Sequence, residues 1–207
     1  MLQIRFIQPD DIETVAREAR QRFGVGELPI DVEYVLDVKL GMDLVPVHGL
    51  RDRISGGDAF AARDWSAIYY DPGPIATRIR YSFAHELGHF LLHKDVIDAL
   101  PVTEAIDDWA ELYANLPADA VGSAETQANM FAAAFLMPED DVEAGFRAAL
   151  QELEKQRRQA IDAGLPRRAY VPSILDRIAT KLAPDFDVSL ETMAYRLRNL
   201  DVGDRIP

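Results

Sequence analysis

The sequence predicts an α+β protein: a mostly helical domain with a small edge-stranded sheet and a C-terminal helical subdomain. Apolar residues recur at helical spacing up to residue 41 and again after residue 79, which indicates helices in both regions. Between residues 43 and 70 the chain instead carries short β-type segments separated by turn residues. The 207 residues are 48% hydrophobic and 28% charged, which is typical of a folded globular protein.

Two helices are expected before the sheet. The first covers residues 10–22, and the carboxylate of Asp10 or Asp11 is expected to cap its N-terminus. A second helix opens at residues 28–31 and ends at Gly41, because glycine readily adopts the left-handed conformation that often ends a helix.

Three short strands are predicted next. Residues 43–48 form the first, and Pro46 places it at an edge of the sheet because proline has no N–H to donate to a neighbouring strand. The other two strands cover residues 59–62 and 66–70. The sequence DPGP at residues 71–74 is a strong turn signal that ends this region.

Helices account for most of the remaining chain. A run interrupted by a single glycine predicts a buried helix, and a strongly apolar run later in the chain predicts a second one. A helix with a charged C-terminal half and two short closing helices follow, and the serine at the start of the last is expected to cap it. These five helices are predicted over residues 79–93, 123–137, 139–159, 172–182 and 189–200.

Length and composition limit the possible functions. The length suits a domain over residues 1–145 with a C-terminal helical extension over residues 146–207 packed on it. Because the chain has no cysteine, it has no disulfide and no thiol nucleophile, and any metal ligand must be His, Asp or Glu. No apolar run long enough to span a membrane and no signal peptide is visible, so a cytoplasmic protein without membrane contact is expected.

Acidic residues are concentrated in one part of the chain. The formal net charge is −13, and residues 95–146 carry twelve acidic side chains and no lysine or arginine. This excess of negative charge argues against direct nucleic-acid binding, which requires a basic surface. The acidic segment over residues 95–122, which is also expected to hold a helix at 103–113, either only solubilises the protein or steers a basic partner.

One motif carries recognisable chemistry. Residues 85–89 read HELGH, which is the HExxH pattern within a predicted helix. His85 and His89 are four residues apart, so they lie on one helix face about 6 Å apart along the axis and can bind one zinc ion. Glu86 flanks the same face and is the candidate general base that takes a proton from water.

Two further histidines are not expected to bind the metal. His93 continues the face of the motif, but residues eight apart in a helix are about 12 Å apart along its axis, too far to share one ion. His93 is therefore expected to support the site from behind its ligands. His48 is expected to be a hydrogen-bonded core histidine, because it lies in a predicted apolar strand.

The third ligand is expected to be a carboxylate, as in the His₂Glu zinc sites. Glu125 is the best candidate because a carboxylate next to so apolar a helix requires a partner. Asn129, one turn later on the same face, is positioned to orient Glu125 or a histidine. The rival carboxylates, all in the acidic segment, are Glu104, Asp107, Asp108 and Glu111.

Two segments give the chain a resemblance to a known family. Residues 80–93 read RYSFAHELGHFLLH, and residues 125–138 read ETQANMFAAAFLMP. This pair of helices resembles the two-part signature of the ImmA/IrrE family of zinc peptidases. Residues 186–200, FDVSLETMAYRLRNL, are similar to the closing helix of that family. The gap between the two signature helices is longer than is usual in the family.

The resemblance implies a zincin-like metallopeptidase domain. It implies that His85, His89 and Glu125 hold Zn²⁺ and that Glu86 is the general base. It further implies a regulatory endopeptidase that cleaves a partner helix-turn-helix repressor and so derepresses stress or mobile-element genes. The alternative function is a non-cleaving, metal-bearing binding module that sequesters a repressor.

Two features of substrate handling follow as hypotheses. An extended substrate segment is expected to add beside an exposed strand, with residues 66–70 as the candidate. A donor to the oxyanion is also required. The candidates, which the sequence does not rank, are Tyr69, Tyr70, Tyr113 and Tyr170.

Overall fold

The computed structural model describes residues 4–52, 58–99 and 118–206. The helices are α1 (Pro9–Phe23), α2 (Val32–Tyr34), α3 (Ala76–Asp98), α4 (Ala118–Leu136), α5 (Glu139–Glu152), α6 (Glu154–Asp162), α7 (Arg167–Leu182) and α8 (Leu190–Asn199). The strands are β1 (Asp43–Pro46), β2 (Ala59–Ala61) and β3 (Ala67–Tyr70). The predicted α+β class is confirmed. The helix expected over residues 103–113 lies outside the described residues.

The sheet has the order β1-β3-β2, with β1 parallel and β2 antiparallel to the central strand. The edge position predicted for the strand that contains Pro46 is confirmed. The hypothesis that substrate adds beside residues 66–70 is wrong, because β3 is hydrogen-bonded to a neighbouring strand on both sides. The two edges of this sheet belong to β1 and β2.

The first two helices begin differently from the prediction. Helix α1 starts at Pro9, and no side chain caps it, so the expected caps Asp10 and Asp11 lie in its first turn instead. Proline is favoured there because its fixed φ suits the helix and its missing N–H is not needed. The second helix is a short α-helical turn followed by a π-helix over Val35–Lys39, and the side chain of Asp31 caps it by accepting from Tyr34 N at 2.9 Å.

The helices after residue 138 also differ from the prediction in two places. The single helix expected over residues 139–159 is interrupted at Leu153, whose φ of −88° and ψ of 1° lie outside helical geometry. The side chain of Leu153 is buried, with 7% exposure. Helix α7 begins at Arg167, five residues before the predicted start, so Pro172 lies inside the helix, where its missing N–H removes one backbone hydrogen bond. The predicted cap of α8 is confirmed, since Ser189 accepts from Thr192 N at 3.0 Å.

The chain divides into two compact units. The first comprises Met1–Glu27 and Asp31–Phe135, and the second comprises Leu28–Ile30 and Leu136–Pro207. The sheet, α1, α2, α3 and nearly all of α4 belong to the first unit, whereas α5 to α8 belong to the second. The expected domain boundary after residue 145 stays a prediction. Among the described residues, no helix has the length and apolar composition needed to cross a membrane.

Candidate metal centre

Helix α3 places the HExxH motif in the interior of the first unit. Glu86 is 8% exposed and His89 is 2% exposed. The side chains of His85 and His89 lie one turn apart, and their Nε2 atoms are 3.0 Å from each other. The helical spacing that predicted a shared ligand pair therefore brings the two ring nitrogens to one point.

Helix α4 supplies the third donor. Glu125 Oε2 lies 3.2 Å from His85 Nε2, and Glu125 Oε1 lies 3.3 Å from His89 Nε2. Tetrahedral zinc with bonds of roughly 2.0–2.2 Å holds neighbouring ligand atoms about 3.3–3.6 Å apart, so small adjustments would seat an ion among these donors. The donor set fits zinc by both chemistry and spacing. The rival carboxylates from the acidic segment lie outside the described residues.

Asn129 lies beside one of the ligands that the sequence predicts it to orient. Its Oδ1 is 3.1 Å from His85 Nδ1. An amide oxygen only accepts, so His85 Nδ1 carries the proton and Nε2 keeps its lone pair for a metal. The hydroxyl of Tyr81 donates to the carbonyl and side-chain oxygens of Asn129 at 3.2 and 3.3 Å, which holds the amide in this orientation.

Glu86 is held by the backbone of the edge strand. Its Oε2 accepts a hydrogen bond from Ala61 N on β2 at 3.0 Å. Burial raises the pKa of Glu86, and the nearby charges of His89 and His85 oppose this only in part. A buried carboxylate with a raised pKa is suited to take a proton and to pass it on.

Of the other two histidines, His93 is buried and His48 is exposed. His93 is buried behind the ligand pair, with Nδ1 3.2 Å from His89 Nδ1, and burial lowers its pKa to about 4. His48 is exposed, so its expected place in the core is wrong: β1 ends at Pro46, which leaves His48 in the following turn.

The tyrosines considered as oxyanion donors are unranked. Tyr69 stacks on Phe60 and Tyr70 packs edge-on against Phe83, with ring centroids 5.2 and 5.1 Å apart. Tyr113 lies outside the described residues. Tyr170 is a buried residue of α7 in the second unit.

Sequence reasoning missed two contacts of the site. Tyr81 was detectable, since it lies four residues before His85 and so shares its helix face. The contact of Ala61 N with Glu86 was not detectable from the sequence, because a backbone donor has no signature in residue type and 25 residues separate the two partners.

The electrostatics of the three donors would make metal binding at this site depend on pH. Burial alone lowers the pKa of His85, but the hydrogen bond that its protonated form donates to Glu125 and the charges of Glu86 and Glu125 outweigh burial and raise the pKa above its ordinary value. Burial raises the pKa of Glu125, but the hydrogen bonds that it accepts from the protonated forms of His85 and His89 outweigh burial, so the pKa of Glu125 lies well below its usual range. The carboxylate therefore stays ionised while the histidine holds its proton more tightly.

We expect the zinc affinity to fall as the pH is lowered from about 8 to about 5.5. Zinc needs the neutral imidazole of His85, whose raised pKa lets a proton compete at a higher pH than for an ordinary histidine. Below that pKa the apparent affinity should drop by about tenfold per pH unit for each proton displaced. Competition titration with a chromophoric chelator at each pH measures this, and an affinity that does not change over the range would contradict it.

Gly88 allows the two ligand helices to approach each other. A Cβ atom on Gly88 would lie 3.1 Å from Phe131 Cδ1 and 3.2 Å from the Cα and O atoms of Ala128 on α4. Both neighbours are fully buried, and the contact to Ala128 is to backbone, which cannot rotate away. The glycine between the two histidines is therefore required by packing.

We expect Gly88→Ala to lower the free energy of unfolding by about 1–3 kcal/mol, as overpacking typically does. It should also weaken zinc binding, because moving α4 away from α3 moves Glu125 away from the histidines. Thermal melts and chelator competition measure the two effects. The matched control is Gly122→Ala on α4, where no described atom lies within 4 Å of the added Cβ, and this change should stabilise the helix by about 0.5–1 kcal/mol. Equal stability of the two variants would refute a packing role for Gly88.

Comparison with known proteins covers most of the chain. The family described as the IrrE N-terminal-like domain (Peptidase_M78) matches residues 66–198, which include α3 and α4. Among solved structures, a Mycobacterium tuberculosis transcriptional regulator is similar in fold, with a TM-score of 0.52 and 18% identity over 91% of this chain and 46% of that one. This chain thus spans less than half the length of that protein. No curated protein matches the sequence.

Proposed function

Because this chain belongs to the Peptidase_M78 family of IrrE N-terminal-like domains, we propose that it is a zinc-dependent regulatory endopeptidase. The observation that carries the proposal is the convergence of His85, His89 and Glu125, whose donor atoms lie 3.0–3.3 Å apart beside a buried glutamate. These three residues would hold the metal. The mostly helical α+β fold with its small sheet agrees with a zincin-like domain.

The chain's own residues supply proton transfer and orientation. When bound, zinc supplies a Lewis acid that polarises a peptide carbonyl and makes water easier to deprotonate. Glu86 takes the proton from the attacking water through Oε1 and delivers it to the leaving amine. The N–H of Ala61 holds the other oxygen of Glu86, so the carboxylate does not rotate away as it gains and loses the proton.

The outer edge of β2 supports a peptide as the substrate. Phe60 pairs with Tyr69 on β3, and on either side of it Ala62 N donates to Ala67 O and Asp71 N donates to Asp58 O. The peptide groups of the alternate residues 59 and 61 therefore point away from β3, and the N–H of residue 61 reaches the catalytic glutamate. An extended segment that pairs with Ala59 at this edge would place its backbone near Glu86, which already accepts from the N–H of Ala61.

For the partner, we propose a helix-turn-helix transcriptional repressor, whose cleavage derepresses stress or mobile-element genes. The family resemblance supports this substrate, and one solved structure of similar fold is that of a transcriptional regulator. An acidic protein also suits a DNA-binding partner, because the formal net charge of −13 attracts the basic surface of such a protein.

Incubation of the zinc-loaded chain with purified helix-turn-helix repressors encoded in the same genome tests the proposal. We expect one of them to be cut at a single bond, identified by mass spectrometry of the new N-terminus, and we expect no cut after dialysis against a chelator. A repressor that is bound tightly but remains intact with zinc present would instead favour the non-cleaving binding module.

A further inference from the structure

A chain of hydrogen bonds extends from the metal donors to the N-terminal segment. His89 Nδ1 lies 3.2 Å from His93 Nδ1, and His93 Nε2 lies 3.3 Å from Gln127 Oε1. Gln127 Nε2 in turn donates to Arg5 O at 3.2 Å and to Ser123 Oγ at 2.9 Å. His89, His93 and Gln127 are each 2% exposed, so water does not replace these bonds.

The donor and the acceptor of each of these hydrogen bonds follow from the last acceptor in the series, Arg5 O. A backbone carbonyl such as Arg5 O only accepts, so the NH₂ group of Gln127 must face it and the amide oxygen must face His93. That oxygen also only accepts, so His93 carries its proton on Nε2 and has a lone pair on Nδ1. The bond between the two rings then requires the proton on His89 Nδ1.

We propose that His93 and Gln127 are positioning residues, which hold His89 in the Nδ1–H tautomer so that the lone pair on Nε2 faces the metal. The role for zinc rests on the proposed function, whereas the tautomer is a property of the metal-free protein. Neither residue touches the metal or the substrate.

The two ligand histidines thus reach the same tautomer by different routes. Asn129 on α4 accepts directly from His85 Nδ1 at 3.1 Å. His89 is one turn further along α3, and it reaches the amide of Gln127 on α4 only through the ring of His93. This explains why a histidine lies four residues after the second ligand although it is not a ligand itself. Partners of this kind typically contribute about 10–100-fold to metal affinity.

Zinc affinity, measured by chelator competition, tests the positioning role with two variants at one position. His93→Leu removes the acceptor for His89 Nδ1–H, and we expect zinc affinity to fall by about 10–100-fold. His93→Asn retains an acceptor at the position of Nδ1, and we expect an affinity within about threefold of the wild type. A folded His93→Leu protein that binds zinc as tightly as the wild type would overturn the proposal.

The tautomer itself is measured without metal. Long-range ¹H–¹⁵N NMR spectra of the metal-free protein report which ring nitrogen carries the proton. We expect Nδ1–H for His89 and Nε2–H for His93 in the wild type, and a mixture of forms for His89 in Gln127→Met, which removes the amide that orients the chain. The matched control is Thr126→Val: Thr126 is the exposed neighbour of Gln127 on α4, its hydroxyl donates to Gly122 O, and the wild-type pattern should persist.

Two results would separate this inference from the proposed function. A His89 Nδ1 that carries no proton in the metal-free wild type would overturn the inference even if the protein cleaves a repressor. Conversely, a wild type that takes up no zinc yet shows His89 in the Nδ1–H form would contradict the peptidase proposal and support the tautomer assignment. Because the spectra need only the wild type and Gln127→Met, they decide the question even if His93→Leu fails to fold.

Discussion

Replacing Glu86 by glutamine should abolish cleavage while leaving the metal in place. Glutamine keeps the size of the side chain and an oxygen that accepts from Ala61 N–H, but it cannot take a proton from water. Proton transfer by a positioned side chain contributes about 10²–10⁴-fold to rate, so kcat should fall by that factor. Zinc per chain, measured by mass spectrometry, should equal that of the wild type because Glu86 is not a proposed ligand.

A second glutamate provides the matched control for this experiment. Glu18 is exposed on α1, so Glu18→Gln makes the same chemical change away from the site and should cut at the wild-type rate. If Glu86→Gln cleaves the partner as fast as the wild type, the general-base role is wrong. If it neither cleaves nor loses its effect on a repressor-controlled reporter in cells, the protein acts by binding, and the non-cleaving module becomes the leading explanation.

Replacing Glu125 by alanine should remove most of the zinc. The carboxylate is one of the three proposed ligands and the one that brings negative charge, and its two oxygens lie 3.2 and 3.3 Å from the ligand nitrogens. Removal of a ligand should exceed the effect of removing a supporting group, so we expect the dissociation constant to rise by more than about 100-fold. About one zinc per chain is expected in the wild type, and far less in the variant after dialysis at equal free zinc.

Asp95→Ala is the control for the loss of one negative charge. Asp95 is exposed on the same helix as the two histidines, and its removal should leave the zinc content unchanged. Full retention of zinc by Glu125→Ala would show that the third ligand lies elsewhere. The carboxylates of the acidic segment, Glu104, Asp107, Asp108 and Glu111, would then be substituted one at a time.

The sequence by itself determined the features that depend on local spacing. His85 and His89 share a face because a helix repeats every 3.6 residues, and no tertiary contact is needed to predict this. The choice of Glu125 as the third ligand also rested on the local sequence, because a carboxylate next to so apolar a helix requires a paired group. The edge position of β1 was likewise predictable from Pro46, whose ring removes the donor that a central strand needs.

Only the tertiary structure decided which segments lie next to one another. The central place of β3, and hence the position of β2 as an edge beside Glu86, depends on strand order, which alternating hydrophobicity does not specify. The contacts of Gln127 with His93 and with Arg5 join residues 34 and 122 positions apart. The same holds for the break at Leu153, which the continuous helical pattern of the sequence does not predict. Periodicity constrains each segment separately, whereas packing selects among the many ways of bringing them together.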